Sequence, residues 1–113
     1  MSAQYYLQKK GIKMSEKLHV IATVVCKPGA EDALVAAIQE CVTHSRAEDG
    51  CEVYRFYKHA AQAGKFVFIE TWKNKAALDH HVTLPHFQKM IETAQPLLLQ
   101  DFDIQLLEEV IAA

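Results

Sequence analysis

The fold is decided by one stretch of sequence: CEVYRFYKH at residues 51–59, AAQAG at 60–64 and KFVFIETWK at 65–73. The first and last segments are rich in Val, Tyr and Phe, which favour strands. The segment between them is short and contains a glycine. Two strands joined by such a loop pair antiparallel, so the stretch predicts a β-hairpin.

The residues before the hairpin predict a strand and a helix. Leu18–Cys26 is β-branched and nearly continuously apolar, which indicates a strand buried on both faces. Lys27-Pro28-Gly29 ends that strand. From Ala30 to about Ala47, apolar residues recur every three or four positions, with acidic residues in the first turn, which predicts an amphipathic helix.

The residues after the hairpin predict two short helices and a last strand. Asn74 is a good N-cap for a helix from Lys75 to about His81, and Pro85 suits the first turn of a second helix. The final strand is expected at Phe102–Ile111. The order is β-α-β-β-α-β with the second helical part split, which predicts an α+β, ferredoxin-like antiparallel sheet with helices on one face.

The hairpin strands carry apolar or aromatic residues on both faces, although helices can cover only one face of the sheet. The uncovered face would expose more apolar surface than a monomer usually tolerates. The pattern therefore favours a homodimer formed through that sheet face.

Length and charge limit the function classes. A chain of 113 residues predicts one domain, which we place at residues 18–113, with residues 1–17 as a leader or arm. The balance of 12 basic and 14 acidic residues favours neither nucleic acid nor an anionic membrane as a partner. The sequence has no apolar run of membrane-spanning length, no signal-peptide core and no CxxC pair, so we expect a cytoplasmic protein.

Candidate chemistry concentrates in Glu70, Trp72, His81 and His86. Either histidine could line a cavity between helix and sheet and transfer protons near neutral pH, or could be a partly exposed polar residue. Trp72 is either a core residue or a flat wall for a planar ligand. Glu70 shares its strand face with apolar residues, so it needs a partner, such as Arg55 or a histidine.

Cofactor signals are weak throughout the chain. The spacing His80-His81-x4-His86 matches no strong zinc pattern, so we expect no metal. The four glycines do not cluster into a phosphate-binding loop. The three cysteines lack a nucleophile signature and are expected to fill core or edge positions.

Three blocks of sequence resemble one known family. Ser45–Tyr54 resembles the pattern R-x-E-x-G-C-x-x-Y, Phe66–Leu78 resembles E-x-W-x-(S/D)-x-x-A-L, and His81–Phe87 resembles H-x-x-x-P-H-F. In that order the blocks resemble the antibiotic biosynthesis monooxygenase (ABM) family over about residues 18–111. The resemblance implies a dimeric α+β barrel and, in its quinol monooxygenase branch, oxidation of a quinol or phenolic aromatic by O2 without flavin, heme or metal.

The resemblance also implies roles for individual residues. Trp72 would face the substrate, and His81 or His86 would be the base or would orient a hydroxyl. Tyr54, Phe68 and Phe87 would contact the substrate, and Glu70 would help to orient it. Heme-degrading relatives have an asparagine and a histidine in the regions that here hold Ala22-Thr23 and Met90-Ile91, so heme degradation is disfavoured.

Two other functions remain open on the sequence alone. An isomerase or lyase acting on a small phosphorylated metabolite predicts a wetter pocket with cations, for which Arg46 and Arg55 are the few candidates. A non-catalytic dimeric binding module predicts that Trp72 and the histidines pack without an accessible cavity.

Overall fold

A computed structural model describes residues 16–111; residues 1–15 and 112–113 lie outside the described part, and with them nearly all of the expected leader or arm. The elements are β1 (Leu18–Val25), α1 (Glu31–Arg46), β2 (Cys51–Lys58), β3 (Lys65–Trp72), α2 (Lys75–His81), α3 (Pro85–Ala94), a 3-10 turn (Gln95–Leu97) and β4 (Asp103–Leu107). This order confirms the predicted α+β, ferredoxin-like fold. None of the helices within residues 16–111 combines the length and apolar character needed to cross a membrane.

The four strands form one sheet in the order β2-β3-β1-β4. Every neighbouring pair is antiparallel, and the predicted hairpin is the β2–β3 pair. A register shift between Cys51 and Val53 marks a bulge at the start of β2. Gly64 closes the hairpin with φ at +76°, a backbone conformation that favours glycine.

The two faces of the sheet differ in burial. The inner face is covered by α1 and α3, whose apolar residues pack with those of the strands into one core. Along β1, buried residues alternate with half-buried ones. The prediction that β1 is buried on both faces is therefore wrong for the single chain, because the helices cover only one side of the sheet.

The last strand is shorter than the sequence suggested. We expected Phe102–Ile111, whereas β4 ends at Leu107, which pairs with His19. Only Leu18 of β1 lies beyond that pair, so residues after Leu107 have almost no β1 backbone with which to form hydrogen bonds. The apolar side chains of Val110 and Ile111 are consequently exposed.

Individual residues determine where α2 and α3 begin. The side chain of Asn74 accepts a hydrogen bond from the backbone N–H of Ala77 at 2.8 Å, as expected for the N-cap of α2. Pro85 occupies the first turn of α3, where its missing N–H costs nothing. The two helices are thus separated by a three-residue turn, with His81 closing one and His86 in the first turn of the other.

Candidate active site

A cavity of about 220 Å³ lies between the inner face of the sheet and the helices α2 and α3. Its polar or charged side chains come from Tyr54, Glu70, Asp79 and His81, and no lysine or arginine is among the lining residues in the described part of the chain. Apolar side chains supply the rest of the wall: Val20, Ala22, Phe68, Leu78, Val82, Phe87, Met90, Ile91, Phe102, Ile104 and Leu106. The cavity therefore suits an apolar, uncharged or weakly acidic molecule.

Most of the residues proposed from the sequence line this cavity. Tyr54, Phe68, Glu70, His81 and Phe87 all contribute to its wall. Trp72 and His86 do not, although both touch His81 through their rings. Trp72 is completely buried behind the cavity wall, so it supports the site without facing a bound molecule.

Glu48 joins the two histidines. The Oε2 atom of its carboxylate lies 2.6 Å from Nδ1 of His81 and 2.7 Å from Nε2 of His86. An ionised carboxylate can only accept hydrogen bonds, so both imidazoles donate to it. Glu48 follows the end of α1 and lies 33 residues from His81, so the fold brings these groups together.

The contact with Glu48 determines which nitrogen of neutral His81 carries the proton. Because Nδ1 donates to the carboxylate, neutral His81 carries its proton there and has a free lone pair on Nε2. Within residues 16–111, Nε2 has no hydrogen-bond partner, while the His81 side chain borders the cavity. Burial lowers the pKa of His81, and hydrogen bonding to Glu48 opposes that shift.

Three aromatic rings pack against the His81 imidazole. Its centroid lies 4.5 Å from that of Trp72, 5.0 Å from that of Phe87 and 5.5 Å from that of Tyr54. The ring is 1% exposed, so its orientation is set by packing as well as by Glu48. An imidazole fixed in this way would need little reorganisation to act as a base.

Glu70 is the second titratable group on the cavity wall. Its Oε1 accepts a hydrogen bond of 2.9 Å from Nε1 of Trp72, while Arg55 is exposed and pairs in register with outward-facing Ile69. The ion pair with Arg55 that the sequence suggested is therefore not formed. Burial raises the pKa of Glu70 to about 7, so this carboxyl group can exchange a proton near neutral pH.

Two histidines outside the cavity wall have side-chain contacts. Nδ1 of His19 lies 2.9 Å from Oγ1 of Thr71 on the outer face of the sheet, and His19 is only partly exposed. His44 is exposed, and the centroid of its ring lies 5.5 Å from that of the His86 ring, with which it stacks. His80 is exposed to solvent.

Glu48 is the functional candidate that sequence reasoning missed. It appeared only as the glutamate of the R-x-E-x-G-C block, and its place in a turn gives no periodic signal. That glutamate, which directly precedes Asp49-Gly50, was the one sequence signal that could have identified Glu48 as a site residue. Glu48, His81 and His86 also place three potential metal-ligand atoms within 4.8 Å of one another.

Comparison with known proteins agrees with the fold and the sequence blocks. The sequence model of the family described as "Antibiotic biosynthesis monooxygenase" matches residues 17–93. The chain belongs to the antibiotic biosynthesis monooxygenase family. The matched region ends within α3 and contains Glu48, Glu70, His81 and His86.

Individual relatives show how close the similarity is. The chain is 33% identical over 87 residues to Synechocystis sp. "Uncharacterized protein sll1783", covering 77% of this chain but only 59% of that protein. It is 38% identical over 74 residues to Mycobacterium tuberculosis "Putative monooxygenase Rv0793", covering 66% of this chain and 72% of that protein.

Solved structures extend the similarity to the whole fold. The structure of Rv0793 superimposes with a TM-score of 0.81 at 32% identity, covering 86% of this chain and 98% of that one. A crystal structure titled as an antibiotic biosynthesis monooxygenase gives a TM-score of 0.79 at 34% identity, covering 82% and 98%. The names of these relatives support a monooxygenase-like function for the family.

Proposed function

We propose that the protein is a cofactor-independent monooxygenase that oxidises a quinol or another phenolic aromatic with O2. The observation that carries the proposal is the His81 imidazole, held at Nδ1 by Glu48 and bordering an apolar cavity with its other nitrogen unpaired. Membership of the ABM family supports the oxidative chemistry.

The first step is removal of a hydroxyl proton from the bound aromatic. Nε2 of His81 accepts that proton, and the resulting imidazolium is stabilised by the ionised carboxylate of Glu48. The aromatic anion is a much better electron donor than the neutral phenol, so it can pass an electron directly to O2. The mainly apolar wall favours this transfer by limiting the contact of water with the anion and the reduced oxygen.

The electron balance requires no external reductant. For a phenol, one oxygen atom enters the ring carbon opposite the hydroxyl and the other leaves as water, so the ring supplies all four electrons and becomes a quinone. For a quinol oxidised without insertion, two electrons and two protons pass to O2, which leaves as hydrogen peroxide. Glu70, with a pKa of about 7 and a place on the cavity wall, can return a proton to the reduced oxygen.

The composition of the cavity disfavours the two other functions. A phosphorylated metabolite needs cationic contacts, whereas the described lining residues include Glu70 and Asp79 and no lysine or arginine. Nε of Arg46 donates instead to the carbonyl oxygen of Tyr54, and Arg55 is exposed on β2. A non-catalytic binding module whose Trp72 and histidines pack without an accessible cavity would not contain a cavity of about 220 Å³ beside its buried histidine.

We also propose that the protein acts as a homodimer joined through the outer face of the sheet. That face carries Ile21, Tyr57, Val67 and Ile69, of which Tyr57 is 44% exposed and Ile69 is 43% exposed. Burying such side chains against a second copy would remove apolar surface from water. The cavity lies on the opposite face, so a partner copy would leave the Glu48–His81 pair in place.

The test is oxygen uptake by metal-stripped protein given a reduced naphthoquinol, with the uncatalysed rate subtracted. The wild type should consume O2 above background without added cofactor. His81→Gln should lower kcat by about 100-fold or more, because it removes the base. Labelled O2 then distinguishes insertion of oxygen into the product from release of peroxide.

The matched control is His80→Gln, which changes an exposed histidine on the same helix. It should retain the wild-type rate, so a general effect of altering α2 can be separated from loss of the base. An uptake rate equal to background for the wild type, or an unchanged rate for His81→Gln, would contradict the proposal.

A further inference from the structure

We propose that Glu48, His81 and His86 form a binding site for a divalent transition-metal ion such as Zn²⁺, and that occupation of this site switches off the base. Binding of the metal does not depend on the proposed oxidase chemistry. Only the effect on rate rests on the proposed function.

The three donors have the composition and spacing of a metal site. Two imidazole nitrogens and one carboxylate oxygen lie within 4.8 Å of one another, and they come from three separate parts of the fold. Zinc bonds of about 2.0–2.2 Å in a tetrahedral arrangement place ligand atoms roughly 3.3 Å apart. To admit the ion, the two contacts of 2.6 and 2.7 Å with Oε2 would open by about 0.6 Å, and the two imidazole nitrogens, which lie within 4.8 Å of each other, would adopt the same separation.

A second observation points to a missing ligand at this place. Oε1 of Glu48 is buried and has no hydrogen-bond partner among residues 16–111, and the Glu48 side chain is only 10% exposed. A buried carboxylate oxygen without a partner is costly. A bound cation would satisfy it, because both oxygens of one carboxylate can share a metal.

Among residues 16–111, no lysine or arginine forms an ion pair with the Glu48 carboxylate. The partners of Glu48 in the described chain are the two histidines, and nearby Lys73 is paired with Asp49 at 2.8 Å. The carboxylate charge is therefore available to a dication. Nitrogen ligands select zinc-like ions over Mg²⁺ and Ca²⁺, which prefer oxygen.

The predicted ion lies behind the base and away from the substrate. Glu48 and His86 are absent from the cavity wall, and His81 would use Nδ1, the nitrogen on the side facing Glu48. When Nδ1 binds the metal, the single proton of the neutral ring resides on Nε2. The nitrogen that faces the cavity then donates a hydrogen bond and can no longer accept the substrate's proton.

The direct test is calorimetric titration of metal-stripped protein with Zn²⁺. We expect about one ion per chain, and at least a tenfold weaker affinity for both His86→Gln and Glu48→Gln. His80→Gln is the matched control and should bind Zn²⁺ as the wild type does, because that histidine is exposed and outside the cluster. Mg²⁺ should not compete at equal concentration.

Folding is checked by thermal melts, and Co²⁺ absorption in the visible range reports the ligand geometry independently. Absence of stoichiometric Zn²⁺ binding would overturn the site. Equal binding by the wild type and both cluster variants would also overturn it, because the ion would then be bound by surface histidines outside the cluster. If uptake of O2 is observed, Zn²⁺ should inhibit the wild type at lower concentration than it inhibits His86→Gln, each relative to its own metal-free rate. Zn²⁺ that binds at the site without slowing uptake would overturn the switch.

Discussion

At the scale of single residues, the site depends on how one carboxylate is shared. Glu48 accepts hydrogen bonds from two imidazoles through one oxygen, which fixes the His81 proton on the nitrogen away from the cavity. The same contact stabilises the imidazolium that forms when His81 takes up a proton. In the proposed reaction, a carboxylate in this place would both orient the base and strengthen it.

Glu70 provides a residue-scale prediction about stability. Burial raises its pKa from 4.5 to about 7 in the folded chain; the Trp72 indole opposes that shift, and the charge of Glu48 adds to it. The folded state therefore binds the proton more tightly than the unfolded state. The stabilisation is present at low pH and is lost as the pH rises from about 4.5 to about 7.

Glu70→Gln should remove that pH dependence, because the amide does not titrate. Between pH 5 and pH 8, the wild type should lose about 2–3 kcal/mol more unfolding free energy than the variant. Urea unfolding at both pH values measures the difference. An equal loss of unfolding free energy in the two proteins would show that Glu70 ionises as easily in the folded as in the unfolded chain.

At the scale of secondary-structure elements, Gly50 sets how closely α2 approaches the start of β2. A Cβ atom at this position would lie 2.3 Å from Cβ of Ala77, so the helix would have to move. Gly50→Ala should lower the unfolding free energy by about 1–3 kcal/mol through overpacking. It should also lower the oxidation rate, because α2 ends in His81.

The matched rescue is Gly50→Ala combined with Ala77→Gly, which removes the clashing atom. The double variant should recover activity relative to Gly50→Ala, although glycine inside α2 costs roughly 1 kcal/mol of its own. Chemical denaturation and oxygen uptake measured on the three proteins test this. A Gly50→Ala variant as stable and active as the wild type would mean that α2 is not held at this distance.

Local signals explain why the elements could be predicted and the site only in part. Asn74 and Pro85 mark helix starts by their own chemistry, so α2 and α3 follow from the sequence. The Glu48–His81 contact is tertiary and has no spacing to reveal it. Strand parity places Glu70 and Trp72 on the inner face, but the position of the helices decides that Glu70 lines the cavity and Trp72 does not.

At the scale of the whole molecule, the exposed apolar residues on the outer sheet face predict a homodimer. Ile69→Asp would place a charge at the centre of the proposed interface and should shift the dimer to monomer in sedimentation experiments. Val35→Asp is the matched control, since Val35 is 40% exposed on α1, away from the sheet face. A monomeric wild type, or a dimer that persists in Ile69→Asp, would refute this interface.

In the proposed site, Glu48 holds His81 by Nδ1 and leaves Nε2 free to accept a proton from an aromatic hydroxyl bound in the cavity. Nitrogen-15 NMR of histidine-labelled protein, titrated anaerobically with 1-naphthol, tests it most directly. We predict that neutral His81 carries its proton on Nδ1, and that naphthol shifts the Nε2 signal while the His80 signals stay unchanged. A proton on Nε2 of neutral His81 in the metal-free protein, or an Nε2 signal indifferent to naphthol, would contradict the account.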